Sequence, residues 1–400
     1  MANIFDYMIW RDIDIKNVEI NEIDALILSR LSYFPLDNLN LENETITLKE
    51  AYNRYCNTEN KGRILQKEDT ELFPVLANSI RFGNILLSNY VNKIDNILEK
   101  QFSAITIELP DNTIFVSYRG TDNTIVGWKE DFNMSFKDLV PSQVDAVNYL
   151  NNIATKYKQN IRVAGHSKGG NLAVYASAFC NKEVNDRIIA IYNNDGPGFQ
   201  KTVIDTNEYK NTIGRLHTYI PQTSIIGRLL NHKEATTIIK STQTGIMQHD
   251  LYSWQLLGAH FIEDTLTNSS EFIDQTITNW LNEVSPEQRE KFIDTLFEIL
   301  NATEAKTLAQ LSSKKFETAK IILSTYKNID EESKEKTNIE EKIKNSEQRE
   351  KANKVAFEMV KSLKFTWMYM TFEEQRSIIE HLIDHVVIDN NKVSIYYKIL

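Results

Sequence analysis

The chain has 400 residues, room for two or three domains at roughly 150 residues each and for a sizeable core. Its 42% hydrophobic and 25% charged residues are ordinary for a globular protein, and the formal net charge of −10 disfavours broad attraction to phosphate backbones or anionic lipid, so nucleic acid is not an expected partner. The two cysteines, Cys56 and Cys180, are far apart and form no Cys/His cluster, which gives no support to a disulfide framework or a metal site. They are expected to be small buried hydrophobes. The first ten residues lack a basic, then apolar, leader pattern, and no run of 18 apolar residues occurs, so a cytoplasmic protein without a membrane span is expected.

In chain order, Asn21-Glu22-Ile23-Asp24 can cap a helix carrying Ile23, Leu26, Ile27, Leu31 and Phe34 at three- and four-residue spacing, with Pro35 helping to end it. A second, more polar helical zone is expected over 48–100, with Leu72, Leu76, Ile80 and the cluster Ile85-Leu86-Leu87 as core contacts. From Phe102 the period changes. Residues 102–109 and 114–118 are β-branched and aromatic runs around Pro110-Asp111-Asn112-Thr113, which reads as a hairpin. A helix is expected over 144–157, a buried strand over 161–164, a tight turn over 165–170 and a packed helix over 171–180. Further strands are expected over 187–193, 215–220 and 236–241. This alternation predicts an α/β fold, a mostly parallel sheet with helices on both faces.

Beyond about residue 268 the strands stop. Ser285-Pro286-Glu287-Gln288 reads as an N-cap, a first-turn proline and a glutamine that closes a capping box. The charged segment 330–354 is expected to be a solvated helix or a linker. A helix from Thr371 through Ile383 and a hairpin of 386–389 with 393–398 close the chain. His381 and His385 fall in that last helix. The expected division is a domain over 1–268, a helical extension over 269–329, and a charged helix or coiled coil ending in a hairpin over 330–400.

The most informative stretch is Val163-Ala164-Gly165-His166-Ser167-Lys168-Gly169-Gly170, a strand running through Gly-x-Ser-x-Gly into a helix. Small residues flank a serine forced into a sharp strand-to-helix turn, which lifts its hydroxyl above the sheet edge. The backbone N–H of Lys168, at the helix N-terminus, would hold a developing oxyanion. The spacing is wrong for a Walker or dinucleotide loop, because Gly169-Gly170 rather than Ser/Thr follows the lysine.

With this elbow the chain resembles the α/β-hydrolases, and specifically the class 3 lipases. Ile114-Phe115-Val116-Ser117-Tyr118-Arg119-Gly120-Thr121-Asp122, with Trp128 and Asp131 downstream, is similar to that family's Arg-Gly-Thr/Ser segment. The resemblance implies that Thr121 is the second oxyanion donor, through its N–H and its hydroxyl. Residues 1 to about 265, including Asp6-Tyr7 and Leu31-Ser32-Tyr33, resemble more closely an uncharacterised bacterial branch of lipase-like proteins, which supplies no substrate.

A serine hydroxyl needs a base. His166 lies inside the elbow with its side chain expected to point away from the nucleophile, and His217 falls in a strand. His232, His249 and His260 remain. Gln248-His249-Asp250-Leu251-Tyr252 follows a strand and a polar loop and resembles the lipase histidine loop, so His249 is the expected base and His260 the runner-up. Among the acids between serine and histidine, Asp195 stands immediately after a strand, at the edge where Ser167 emerges. Class 3 lipases carry their aspartate one strand later, where this chain has Tyr219-Ile220-Pro221-Gln222-Thr223-Ser224. Either Asp195 orients His249 or a neutral Ser224 or Gln222 does. Asp122 and Asp131 are expected to support the Arg119 loop.

The expected activity is a serine esterase or lipase-like hydrolase acting on a small-molecule or lipid ester, with no metal or organic cofactor. Residues from about 330 resemble instead the tail of large serine recombinases, through Thr371-Phe372-Glu373-Glu374-Gln375-Arg376, Leu382-Ile383-Asp384-His385-Val386-Val387-Ile388-Asp389 and Val393-Ser394-Ile395-Tyr396-Tyr397. The recombinase catalytic domain is not found, so the tail implies self-association or partner binding. The residues around Trp367-Met368-Tyr369-Met370 read as core or interface. The competing class is a non-catalytic binding or scaffold protein that keeps the fold while its tail recruits a partner or nucleic acid.

Overall fold

A computed structural model describes residues 2–59, 64–122, 124–265, 285–301, 383–389 and 392–397. The chain divides into two compact units, 1–326 and 327–400.

The first unit begins with helices α1 (Ile4–Trp10), α2 (Glu22–Leu31), α3 (Leu48–Asn57) and α4 (Asp69–Asn78). The expected cap of α2 forms as a reciprocal box: Asn21 accepts from the N–H of Ile23 and Asp24, and Asp24 accepts from that of Asn21. Asp24 then turns inward to pair with Arg81 at 2.5 Å, both side chains fully buried, and accepts a hydrogen bond from Tyr7 at 2.8 Å.

One eight-stranded sheet follows, in the order β1 (Ile46–Thr47), β2 (Leu86–Asp95), β3 (Lys100–Glu108), β4 (Ile114–Tyr118), β5 (Ile161–His166), β6 (Ile188–Asn194), β7 (Leu216–Pro221) and β8 (Thr236–Ile239). The pairings from β1 to β4 are antiparallel, those from β4 to β8 parallel. The expected hairpin is β3 and β4. The expected helical zone over 48–100 is corrected at its end: Ile85-Leu86-Leu87 leads into β2, because Leu86 and Leu87 pair with both β1 and β3. Tertiary pairing of a β-branched and aromatic segment overrides local polarity.

Consecutive parallel strands joined by right-handed crossovers put their helices on one face. Helices α5 (Ile125–Asn133), α6 (Pro141–Lys156) and α7 (Lys168–Phe179) lie in those crossovers, followed by the one-turn helices α8 (Lys182–Asn185), α9 (Lys201–Ile204) and α10 (Asn207–Lys210). Strand alternation splits the core to match. Val116, Tyr118, Val163 and Ile191 pack with Leu150, Leu172 and Ala176 of α6 and α7. Ile105, Ile107, Phe115 and Ala164 face the other way and pack with Leu26, Leu31, Leu72 and Leu76 of α2 and α4. A two-residue pair, β9 (Leu256–Leu257) and β10 (His260–Phe261), lies beyond β8. The cysteine expectation is corrected: Cys56 is exposed on α3 and Cys180 is half-buried at the end of α7.

Helix α11 (Pro286–Asn301) starts with the expected box, Ser285 and Gln288 each accepting the other's N–H. It docks on α5: Ile293 and Phe297 are buried against Ile125, Trp128 and Phe136, and Lys129 pairs with Asp294 at 3.0 Å. In the second unit, β11 (Ile383–Asp389) pairs antiparallel with β12 (Lys392–Tyr397), the expected hairpin. This moves Ile383 and His385 from the expected helix onto a strand. The charged segment 330–354, Trp367-Met368-Tyr369-Met370, His381 and the residues from Thr371 to 382 lie outside the described residues. Among the described residues, no helix is long and apolar enough to cross a membrane.

Candidate active site

Strand β5 delivers Ser167 into the turn before α7 with φ 61° and ψ −136°. A non-glycine residue there costs on the order of 1–3 kcal/mol, which the surroundings must impose. They do so by crowding. A Cβ on Gly165 would lie 2.1 Å from the carbonyl of Gly169, and one on Gly169 would lie 2.2 Å from the carbonyl of Tyr118. Strand and helix thus meet at glycine distance on either side of the serine, which stays half-buried.

Asp195 directly follows β6, fully buried with φ 54°, its N–H donating to the Tyr219 carbonyl at 2.8 Å. One carboxylate oxygen, Oδ2, lies 2.7 Å from His249 Nδ1 and accepts the Ser224 hydroxyl at 2.7 Å, while Oδ1 accepts the Gly227 N–H at 3.1 Å. A carboxylate only accepts, so Nδ1 carries the imidazole proton and Nε2 is left as the acceptor. Of the three groups weighed for orienting His249, Asp195 is the one in contact. Ser224 bonds the aspartate rather than the imidazole, and the Gln222 side chain accepts the Ser241 N–H at 3.0 Å.

His249 ends a 3-10 turn, Gly245–His249, anchored where Trp254 donates its indole N–H to the Gln248 carbonyl at 2.8 Å and the Gln248 side chain accepts the Thr223 N–H at 2.7 Å. His166 has a fuller role than the sequence suggests. Its ring stacks on that of His249 at 4.5 Å, and its Nε2 donates to the His249 carbonyl at 2.8 Å. Burial, then the neighbouring His249 and Arg30, hold its pKa well below 6.5, so it stays neutral beside the His249 imidazole. No hydrogen bond joins Ser167 Oγ to His249 Nε2 among the described residues.

The loop after β4 comes up beside the elbow. A Cβ on Gly120 would stand 2.9 Å from that of Ser167. Tyr33, from the end of α2, bridges the two turns: its hydroxyl accepts the Gly120 N–H at 2.8 Å and donates to the His166 carbonyl at 3.0 Å. The Thr121 hydroxyl donates to Asp131, so it is already engaged and only its backbone N–H is left to offer an oxyanion. The N–H groups of Thr121 and Lys168 make no hydrogen bond to another described residue. Asp122 supports the Arg119 loop as expected, 3.6 Å from Arg119 Nη2 and accepting the Thr124 N–H at 2.9 Å. Asp131 supports the same loop by accepting the Thr121 hydroxyl and also faces Lys168, and burial pushes its carboxyl up to about 6 against the pull of the Lys168 ammonium and the Thr121 hydroxyl.

The other histidines lie elsewhere. His217 is exposed on β7, stacked on Tyr192, and His232 pairs with Glu234. His260, the runner-up base, has a side chain 74% exposed and stands 3.5 Å from Glu22. Among the described residues, no group of three or more His, Cys, Asp or Glu side chains is arranged to hold a metal ion.

Residues 76–298 match the Mbeg1-like family, a span that takes in Ser167, Asp195, His249 and Thr121. No curated protein matches. Among solved structures, the chain is similar to the native Rhizomucor miehei lipase propeptide complex, at 14% identity and a TM-score of 0.36, over 60% of this chain and 80% of that one.

Proposed function

The chain belongs to the Mbeg1-like family, and from the grouping of Ser167, His249 and Asp195 we propose that it is a serine hydrolase of α/β-hydrolase type that cleaves a carboxylic ester. The observation that carries this reading is the buried Asp195 carboxylate 2.7 Å from His249 Nδ1, on the sheet edge where Ser167 occupies a strained strand-to-helix turn. Residues spaced 28 and 54 positions apart in the chain have no local reason to converge there.

In the proposed reaction His249 Nε2 takes the Ser167 hydroxyl proton as Oγ attacks the ester carbonyl carbon. The Lys168 and Thr121 N–H groups stabilise the tetrahedral oxyanion, each such donor lowering the barrier by about 3 kcal/mol. His249 returns the proton to the leaving alcohol, and water, activated by the same imidazole, releases the acid and regenerates Ser167. Asp195 holds the imidazole in the tautomer with Nε2 bare. No step calls for a cofactor, and the substrate class is a small-molecule or lipid ester.

The test is labelling of the purified chain by a fluorophosphonate, comparing wild type with Ser167→Ala and His249→Ala. Labelling of wild type that is lost in both variants supports an activated serine. Absence of labelling in folded wild type overturns the assignment and favours a binding protein that keeps the fold.

A further inference from the structure

The residue after the nucleophile has a side chain that the proposed reaction does not use. Lys168 is 1% exposed. Its ammonium lies 2.9 Å from Glu130 Oε2, donates to the Gln101 carbonyl at 2.9 Å and stands 3.7 Å from Asp131 Oδ1. Glu130 is also fully buried and accepts the Gln101 N–H through Oε2 and the Ser142 N–H through Oε1, each at 2.9 Å. One buried ion pair therefore ties α7 to β3, to α5 and to the start of α6.

For stability alone this is a poor place for a lysine. Its charge sits at the positive end of the α7 dipole, and desolvating two ions costs several kcal/mol that a well-packed apolar pair would not incur. What the pair fixes is a distance. Lys168 carries one candidate oxyanion donor on its own backbone, and its side chain reaches α5, whose Asp131 holds the hydroxyl of Thr121, the residue with the other donor. We infer that the Lys168 side chain, locked by Glu130, is a positioning residue that sets the separation of the two oxyanion N–H groups. This rests on the reading of Ser167 as nucleophile.

The groups facing the ammonium are Glu130 and Asp131 of α5 and the Gln101 carbonyl of β3. Those facing Asp131 are Lys168 from α7, Glu130 beside it, the Thr121 hydroxyl and the His249 imidazole. Lys168 is the cation that restrains the upward push of burial on Asp131. Neutralising it lets Asp131 keep its proton to higher pH, and Thr121 then loses its charged acceptor.

The experiment measures p-nitrophenyl butyrate hydrolysis and fluorophosphonate labelling by the full chain carrying Lys168→Gln or Lys168→Arg. Gln leaves the backbone N–H in place and still donates to Glu130, and Arg keeps the charge. With thermal melts confirming folding, Lys168→Gln is expected to lower kcat about 100-fold with KM within about threefold, the scale of a misplaced catalytic group. The acid limb of its pH profile moves up, and Lys168→Arg recovers most of the rate. If Lys168→Gln does not fold, Glu130→Asp, which shortens the same tether with both charges kept, carries the test on kcat and KM, with the same loss of about 100-fold expected and the acid limb in place. A folded variant with kcat within about threefold of wild type and an unmoved pH profile overturns the inference alone. Folded wild type that neither labels nor turns over overturns the nucleophile reading, and the inference with it.

Discussion

Replacing Asp195 by Asn tests the site at its buried end, because the change removes a charge without changing shape. The carboxylate accepts three donors, His249 Nδ1 and the Ser224 hydroxyl at Oδ2 and the Gly227 N–H at Oδ1. An amide has one accepting oxygen. If it stays at the Oδ1 position, the NH2 group faces His249 and Ser224. Ser224 can rotate to accept, but His249 must shift its proton to Nε2 and can no longer act as base. If the amide flips, the NH2 group faces the Gly227 N–H, leaving a buried donor unpaired at about 1–3 kcal/mol. The first arrangement is therefore favoured, and folding stability should change little. The rate should fall about 10⁴-fold, the size of the tautomer effect in other Ser-His-Asp enzymes, or about 5.4 kcal/mol of transition-state stabilisation. The assay is kcat/KM for p-nitrophenyl butyrate with a thermal melt alongside. A folded Asp195→Asn protein retaining more than about a tenth of wild-type kcat/KM, only about 1.4 kcal/mol of loss, would refute the reasoning. Ser224→Ala separates the two polar partners: it removes one hydrogen bond to the aspartate and should cost about tenfold or less.

Three further outcomes are expected. Tyr33→Phe strands the Gly120 N–H and the His166 carbonyl, so it should lower stability by about 2 kcal/mol and slow fluorophosphonate labelling; unchanged urea midpoints would contradict the bridge. Asp131 binds its proton more tightly in the fold, with a pKa of about 6 against 3.8 in the unfolded chain, so its contribution to stability is full below 3.8 and lost as pH rises through 6. The difference corresponds to about 3 kcal/mol, and Asp131→Asn, which removes it, should gain on wild type by up to that amount between acid and neutral pH; a gap that stays constant with pH would count against it. Phe297, 2% exposed with its ring 5.9 Å from that of Phe132, should cost about 3 kcal/mol when cut to Ala. An unshifted melting temperature would mean that α11 does not hold to α5 in solution.

Much of this arrangement is legible in the residues. Gly165, Ser167 and Gly169 announce the elbow because a sharp turn crowded on both sides admits few alternatives, and Asp195 stands out by following a strand directly. The Ser285 box is equally local, as both partners lie within four residues. What the sequence conceals are partners that meet only through the sheet. Tyr33 lies 133 residues from His166, and nothing near either names the other. Nothing near Lys168 names Glu130, 38 residues away, as the partner of its ammonium, and Ser224 reads as a substitute for the aspartate although it serves it. The strand at 86–95 is hidden for a related reason: its hydrogen bonds come from β1 and β3 rather than from its own periodicity.

The unbroken strand order has a consequence for how the site can change. Open α/β sheets usually gain a ligand crevice where strand order reverses, and β1 to β8 never reverse. The sheet instead serves as a ruler: β4 leads to Thr121, β5 to Ser167 and β6 to Asp195, each one strand spacing of about 4.8 Å further along. The hollow must then be shaped by the turns, chiefly the two left-handed ones at Ser167 and Asp195. Each turn can be lengthened or trimmed without disturbing its neighbours' strands, so such a scaffold can vary what it admits while Thr121, Ser167 and Asp195 keep their places.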